Sequence, residues 1–173
     1  MQIQLGCQTR PWHDYSLDEA LAGIAAAGFE IVGFVPQADN PLFSPEAGDG
    51  DIARLKDLLA SRGLRPQMAI SQPNLWDRPE AEAVSVFLGE MERGKELGLE
   101  YFILCGISDE SKWEAWFRAI EVCLPRAAEL GLQLLLKPHG GLSALAEDLR
   151  RAVERLSHPN FGICYDPGNI YYY

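Results

Sequence analysis

The sequence predicts an α/β chain built as an incomplete (β/α) barrel, a single domain over residues 1–173 holding about six of the eight units of a complete one. Three observations predict it. Apolar strand-like runs alternate with amphipathic helical stretches along the chain, the order that gives a parallel sheet with right-handed crossovers. Four segments, AAAGFEIVGF, ASRGLRPQMAI, KELGLEYFILC and AELGLQLLLK, repeat one design of helix end, glycine and apolar strand, and their glycines (Gly28, Gly63, Gly98, Gly131) lie 35, 35 and 33 residues apart. The first strand runs into Gln8-Thr9-Arg10-Pro11-Trp12 and not into a G-x-G-x-x-G turn, which favours the barrel over a doubly wound dinucleotide fold.

Taken in order, the strands are expected near 2 to 8, 29 to 35, 65 to 71, 99 to 106, 132 to 138 and 160 to 166, and the helices near 16 to 27, 50 to 62, 79 to 97, 110 to 130 and 143 to 157. Ser16-Leu17-Asp18-Glu19 is a capping box, and Asp77-Arg78-Pro79-Glu80 offers an N-cap, an early proline and a glutamate near N3. Leu21, Ile24 and Ala25 recur at helical spacing behind the first, and Val84, Phe87, Leu88 and Met91 behind the second, as cover helices require. Each of the four repeat glycines follows a helix, where the left-handed position excludes most residues with a β-carbon. The chain stops at Tyr171-Tyr172-Tyr173, inside an expected strand-to-helix loop. We therefore expect a barrel truncated at its C-terminus by about two units, with its first and sixth strands as unpaired edges.

Composition narrows the function classes. A formal net charge of −10 opposes nucleic-acid binding. No apolar run approaches the roughly 18 residues of a membrane span, and MQIQLGCQTR has no signal-peptide order. Cys7, Cys105, Cys123 and Cys164 form no C-x-x-C pair, which fits a reduced, cytoplasmic protein. Cys105 and Cys164 read as packed thiols.

In barrels of this kind the chemistry sits at the C-terminal ends of the strands. That rule selects Gln8 with Trp12 and His13, Pro36-Gln37, Ser71-Gln72, Cys105-Gly106, Lys137-Pro138-His139-Gly140-Gly141 and Asp166-Pro167-Gly168-Asn169. The last two ends are the richest. Residues 137 and 139 share strand parity, so both side chains are expected on one face.

HDYSLDEALAGIAAAGFE, YFILCGI, LLLKPHGG and PNFGICYDPGN, in that order and spacing, resemble the sugar phosphate isomerase/epimerase family, whose members adopt the xylose isomerase-like barrel. The resemblance covers essentially the whole chain. It implies isomerisation or epimerisation of a small sugar by proton transfer next to a carbonyl, usually with a divalent metal ion (Mn, Mg, Co or Zn). It also implies a small-molecule sugar partner, with no nucleic acid and no membrane; a homo-oligomer is allowed. Asp166 matches the family's strand-six metal ligand, His139 the histidine of its strand-five segment, and Asn169 stands where a substrate-contacting histidine is common. Catalytic roles are accordingly expected of Lys137, His139 and Asp166, metal ligation of Asp166 and His139, and substrate contact of His13, Trp12 and Asn169.

One departure matters. Lys137 stands where the family usually has a glutamate ligand. An ammonium has no lone pair to give, and it repels a cation by about 4 kcal/mol per unit charge pair at roughly 4 Å and an effective dielectric near 20. Three arrangements stay open: Lys137 pairs with Asp166 in place of a metal, a metal shifts toward His139 and Asp166, or Lys137 acts on substrate as a desolvated amine. The bland readings are a Lys137 that snorkels to solvent and turn or cap roles for His139 and Asp166; His158, at the opposite end of strand six, reads as structural. The competing functions are a non-catalytic carbohydrate-binding barrel and a metal-dependent phosphodiesterase of the same barrel type, the latter opposed by the charge and by only three histidines.

Overall fold

The computed structural model describes residues 3–173, so residue 2 of the expected first strand lies outside the described residues. Six strands are seen: β1 (Gly6–Gln8), β2 (Ile31–Phe34), β3 (Arg65–Ile70), β4 (Tyr101–Leu104), β5 (Gln133–Leu136) and β6 (Phe161–Ile163). They form one parallel sheet in sequence order, β1-β2-β3-β4-β5-β6. Helices α1 (Leu17–Ala26), α2 (Asp49–Ser61), α3 (Glu80–Leu97), α4 (Trp113–Leu130) and α5 (Ala146–Leu156) connect them. This is a partial (β/α) barrel. A sixth helix, α6 (Pro167–Tyr172), occupies the stretch expected to be a loop, because Asp166 caps it and Pro167 supplies a preset φ in its first turn.

The repeat glycines do what their spacing demands. Gly28, Gly63, Gly98 and Gly131 all take positive φ, between 66° and 94°, ending a helix and turning the chain into the next strand. Ser16 and Glu19 complete the expected capping box. The start of α3 differs from expectation: Pro79 is its N-cap and Asp77 lies outside it. With φ −58° and ψ 148°, Pro79 is still extended, so the first helical residue falls one position later. The observed strands are also shorter than the apolar runs, because hydrogen-bonded pairing stops before the apolar residues do.

The core is one continuous cluster between the sheet and its cover helices. Leu21, Ile24, Phe87 and Met91 are buried as the helical spacing requires, and full burial of each such side chain contributes roughly 1.5–3 kcal/mol. Phe87 of α3 meets Phe102 of β4 edge to face, centroids 5.4 Å apart. Outside, ion pairs link neighbouring helices: Lys56 with Glu96, Arg118 with Glu80, Arg126 with Glu92 and Arg155 with Glu114. All are exposed enough to be worth about 0–1 kcal/mol each. Among the described residues no helix is long and apolar enough to cross a membrane.

Among the buried polar residues Thr9, Asn40, Glu90 and Ser143, the glutamate is the acidic one. Glu90 of α3 is 7% exposed, and its carboxylate accepts a 2.5 Å hydrogen bond from Ser71 Oγ, just past β3. Burial pushes its pKa up to about 7, against the opposing effects of Ser71 and Arg93. The unfolded chain ionises Glu90 from about pH 4.5, whereas the folded protein holds the proton until about pH 7. Stability therefore falls as pH rises through that window and is level above it. Between pH 4.5 and 7.5 the protein is expected to lose about 3 kcal/mol relative to Glu90→Gln, read from urea-unfolding midpoints of the two proteins across that range.

Candidate active site

Register brings the strand-five and strand-six ends together. Leu136 pairs with Leu104 on one side and Ile163 on the other, and the ladder continues through Lys137 N to Leu104 O (2.9 Å) and Cys164 N to Leu136 O (3.0 Å). Cys105, Lys137 and Cys164 thus stand at one level. Leu134 and Leu136 are buried under the helices, while Gln133, Leu135 and Lys137 alternate with them and belong to the barrel-side face.

Lys137 Nζ lies 3.6 Å from Asp166 Oδ2, with the two side chains 15% and 28% exposed. The other carboxylate oxygen, Oδ1, accepts from Asn169 N at 3.0 Å and caps α6. Asp166 therefore has both the cap role and the lysine. His139 completes the group at the mouth. Its ring lines a cavity of about 450 Å³ with Cys105 and Gly106 and lies 5.5 Å, centroid to centroid, from Tyr173. Partial burial first, then the charges of Lys137 and Arg10, lower its pKa below the usual histidine value. Burial pushes the Cys105 and Cys164 thiols up, in keeping with packed, protonated groups.

The loop after β5 can approach its neighbour only because Gly141 has no side chain. At φ +48°, a β-carbon there would lie 2.4 Å from Ser108 Cα and 2.6 Å from Ile107 O. Ser143 Oγ then accepts from His139 N (3.2 Å) and donates to Cys105 O (3.1 Å). The backbone beneath the imidazole is fixed from both sides.

Of the expected substrate contacts, Trp12 and His13 stand at the end of β1, and Asn169 stands at the mouth beside Asp166. Trp12 packs its indole on Gly23 of α1, where an added β-carbon would sit 2.7 Å from the ring nitrogen. His13, 68% exposed, pairs with Asp14 at 3.1 Å and lines a small cavity with Arg10 at the ends of β1 and β2. Asn169 Nδ2 donates to Pro138 O at 2.6 Å, tying α6 to the loop after β5. His158 Nδ1 accepts from Asn160 N at 3.1 Å on the far side of β6, the structural role its position implied. Trp116 is fully buried, and Phe117 carries the Arg155 guanidinium 4.0 Å above its ring.

Two residues gain importance that their sequence surroundings did not give them. Arg10 is exposed, yet its charge reaches His139 and Cys105; nothing in Gln8-Thr9-Arg10 marks this. Gln72 clamps the ends of β3 and β4. Its Oε1 accepts from Cys105 N (3.0 Å), Gly106 N (2.9 Å) and Trp116 Nε1 (3.3 Å), and its Nε2 donates to Gly106 O (2.6 Å). A glutamine at a strand end was the only available signal.

Asp166 and His139 do not by themselves suit a divalent ion. They offer two donor side chains, one Asp166 oxygen facing an ammonium and the other a backbone N–H. Among the described residues no three histidine, cysteine, aspartate or glutamate side chains gather as ligands. Tetrahedral zinc sites use three or four protein ligands and magnesium prefers octahedral oxygen coordination, so this donor set falls short of either.

A family model described as "Xylose isomerase-like TIM barrel" matches residues 21–173. No curated protein sequence matches the chain. Among solved structures, a xylose isomerase-like TIM barrel protein from Mycobacterium smegmatis in complex with magnesium is similar at 12% identity and TM-score 0.80, over 96% of this chain and 65% of that one. The probable 3-DHS dehydratase AsbF of Bacillus anthracis is similar at 13% identity and TM-score 0.78, over 98% and 65% of the two chains. The 3-keto-D-glucoside 4-epimerase YcjR of E. coli is similar at 14% identity and TM-score 0.73, over 95% and 68%. The chain thus spans about 65% of the length of the first two structures.

Gln72→Ala would strip three partly buried hydrogen bonds from the loop after β4 and a fourth from Trp116 of α4. We expect a loss of about 3 kcal/mol and faster amide exchange at Cys105 and Gly106, measured by urea unfolding and hydrogen exchange.

Proposed function

This chain belongs to the xylose isomerase-like TIM barrel family, and on that premise we propose that it serves an isomerase or epimerase that moves a proton next to the carbonyl of a small sugar. The observation that carries the reading is the Lys137–Asp166 pair, 3.6 Å apart at the ends of β5 and β6, beside an imidazole held below its ordinary pKa.

The roles follow from charge. Neutral His139 takes the proton from the carbon next to the carbonyl, and the electron pair of the broken C–H bond moves onto the carbonyl oxygen. Lys137 stabilises the resulting enediolate oxygen as a fixed cation, an interaction that strengthens as charge develops. For isomerisation the imidazolium delivers the proton on the same face to the former carbonyl carbon, while the neighbouring hydroxyl proton passes to the former carbonyl oxygen; epimerisation takes its proton from a second donor on the opposite face. Asp166 is a positioning residue that keeps the amine over the mouth. In this reading Asp166 and His139, the residues for which metal ligation was expected, act as the anchor of the amine and as the base.

Incubating the protein with D-fructose and related ketoses in deuterated water should replace a carbon-bound proton by deuterium, seen by NMR. Lys137→Ala is expected to slow this exchange by roughly 10²–10³-fold, the usual range for loss of one oxyanion-stabilising group. The rate should rise with pH as His139 loses its proton, with a midpoint below the ordinary histidine value because its pKa is lowered. Binding without exchange for every sugar tried would instead favour a carbohydrate-binding barrel.

A further inference from the structure

Two cavities open at the strand ends, and they share a wall. One, of about 450 Å³, holds His139 and Cys105. The other, of about 750 Å³, lies between the ends of β2 and β3 and the start of α3, lined by Phe43, Ser71, Asn74 and Glu90. Gln72 and Trp76 line both. Each volume lies within the roughly 300–1,000 Å³ of small-molecule sites, and a single sugar ring does not fill the pair.

Trp76 is 49% exposed, yet its loop is held firmly. Lys112 Nζ donates to Leu75 O at 2.7 Å and to Trp76 O at 3.5 Å, and stands 5.5 Å from the centre of the indole. Asn74 Oδ1 accepts from Trp76 N at 3.1 Å. A large ring fixed in place but left half uncovered on the partition between two cavities is an apolar platform awaiting a ligand. Beyond it stand the buried Glu90 carboxyl with its Ser71 hydroxyl and the side chains of Asn74 and Asp77, while the Gln72 amide is already bonded to Cys105, Gly106 and Trp116. The cavity's cation, Arg78, is already paired with Glu82 at 2.5 Å, so the lining does not favour an anion. An aromatic face beside carboxyl, hydroxyl and amide groups matches a pyranose, which has an apolar C–H face and a rim of hydroxyls.

We infer that the cavity bounded by Trp76 and Glu90 seats a second sugar ring, making the substrate a glycosylated ketose or other glycoside, with the reacting sugar at Lys137 and His139. This rests on the proposed function of the first cavity. Trp76 stacks on the second ring, Glu90 and Asn74 receive its hydroxyls, and Gln72 marks the junction.

The test compares D-fructose with three glycosylated fructoses, maltulose, lactulose and turanose, binding to the whole protein by titration calorimetry. At least one disaccharide is expected to bind ten-fold or more tightly than D-fructose. Trp76→Ala should remove that advantage and Trp76→Phe should restore most of it; Glu90→Gln, at a residue that lines the second cavity and not the first, should weaken disaccharide binding while leaving D-fructose affinity within two-fold, and Lys137→Ala should weaken both kinds of sugar. Circular dichroism and thermal unfolding establish that the variants fold. D-fructose binding that depends on Lys137, with no disaccharide binding better, overturns the second-ring site and leaves the first reading intact. A disaccharide advantage that survives Trp76→Ala also overturns it. Failure of all four sugars to bind overturns both.

Discussion

A charged amine at the end of an apolar strand needs a counter-charge, and much of the mouth follows from meeting that need. Lys137 follows three leucines and is only 15% exposed at its side chain. Isolated, such an ammonium would pay heavily for lost hydration. Asp166 supplies the partner, but only because parallel pairing of β5 with β6 aligns Leu136 with Ile163 and because Asp166 is itself held as the cap of α6. Asn169 then closes the loop by reaching back to Pro138. One ion pair thus joins the ends of two strands, a helix start and a loop.

The repeat made the architecture legible. A helix end, a glycine and an apolar run are local features, and Gly28, Gly63, Gly98 and Gly131 each announce a turn that no distant contact has to impose. Strand limits were less readable. At Lys137-Pro138 the proline has no N–H to donate, so β5 ends at Leu136 although the apolar run invites a longer strand. Asp166-Pro167 could begin a turn or a helix, and the Asp166 cap together with the Asn169 bond back to Pro138 O decided for the helix.

The placement of candidate site residues was readable where chain order alone brings them to strand ends. Lys137, His139 and Asp166 are of this kind. Trp12 is not: its position after β1 is compatible with the mouth, but the bare backbone of Gly23 offers the indole a seat on α1. Gln72 acts on a neighbouring strand, and Arg10 acts through its charge at a distance, so neither has a local signature. Trp76 lies in a loop whose shape depends on Lys112, more than thirty residues onward.

The placement of charge explains how one cleft could orient a polyhydroxylated ligand. The protein is strongly acidic, at −10, but many of its carboxylates sit on outer helices in pairs with arginine. Around His139 the charges that matter are Arg10, Lys137 and Asp166, two cations against one anion. Across Trp76 the cation Arg78 is already paired with Glu82, and the buried Glu90 carboxyl keeps its proton until about pH 7. A sugar spanning the two would therefore meet different environments at its ends: cations where a carbonyl oxygen gains negative charge, and acceptor groups where hydroxyls need partners. Reversing the ligand would place the carbonyl beside a carboxyl and leave the Lys137 end without an oxygen to stabilise, so under the proposed function the polarity that serves proton transfer would also select the direction of binding.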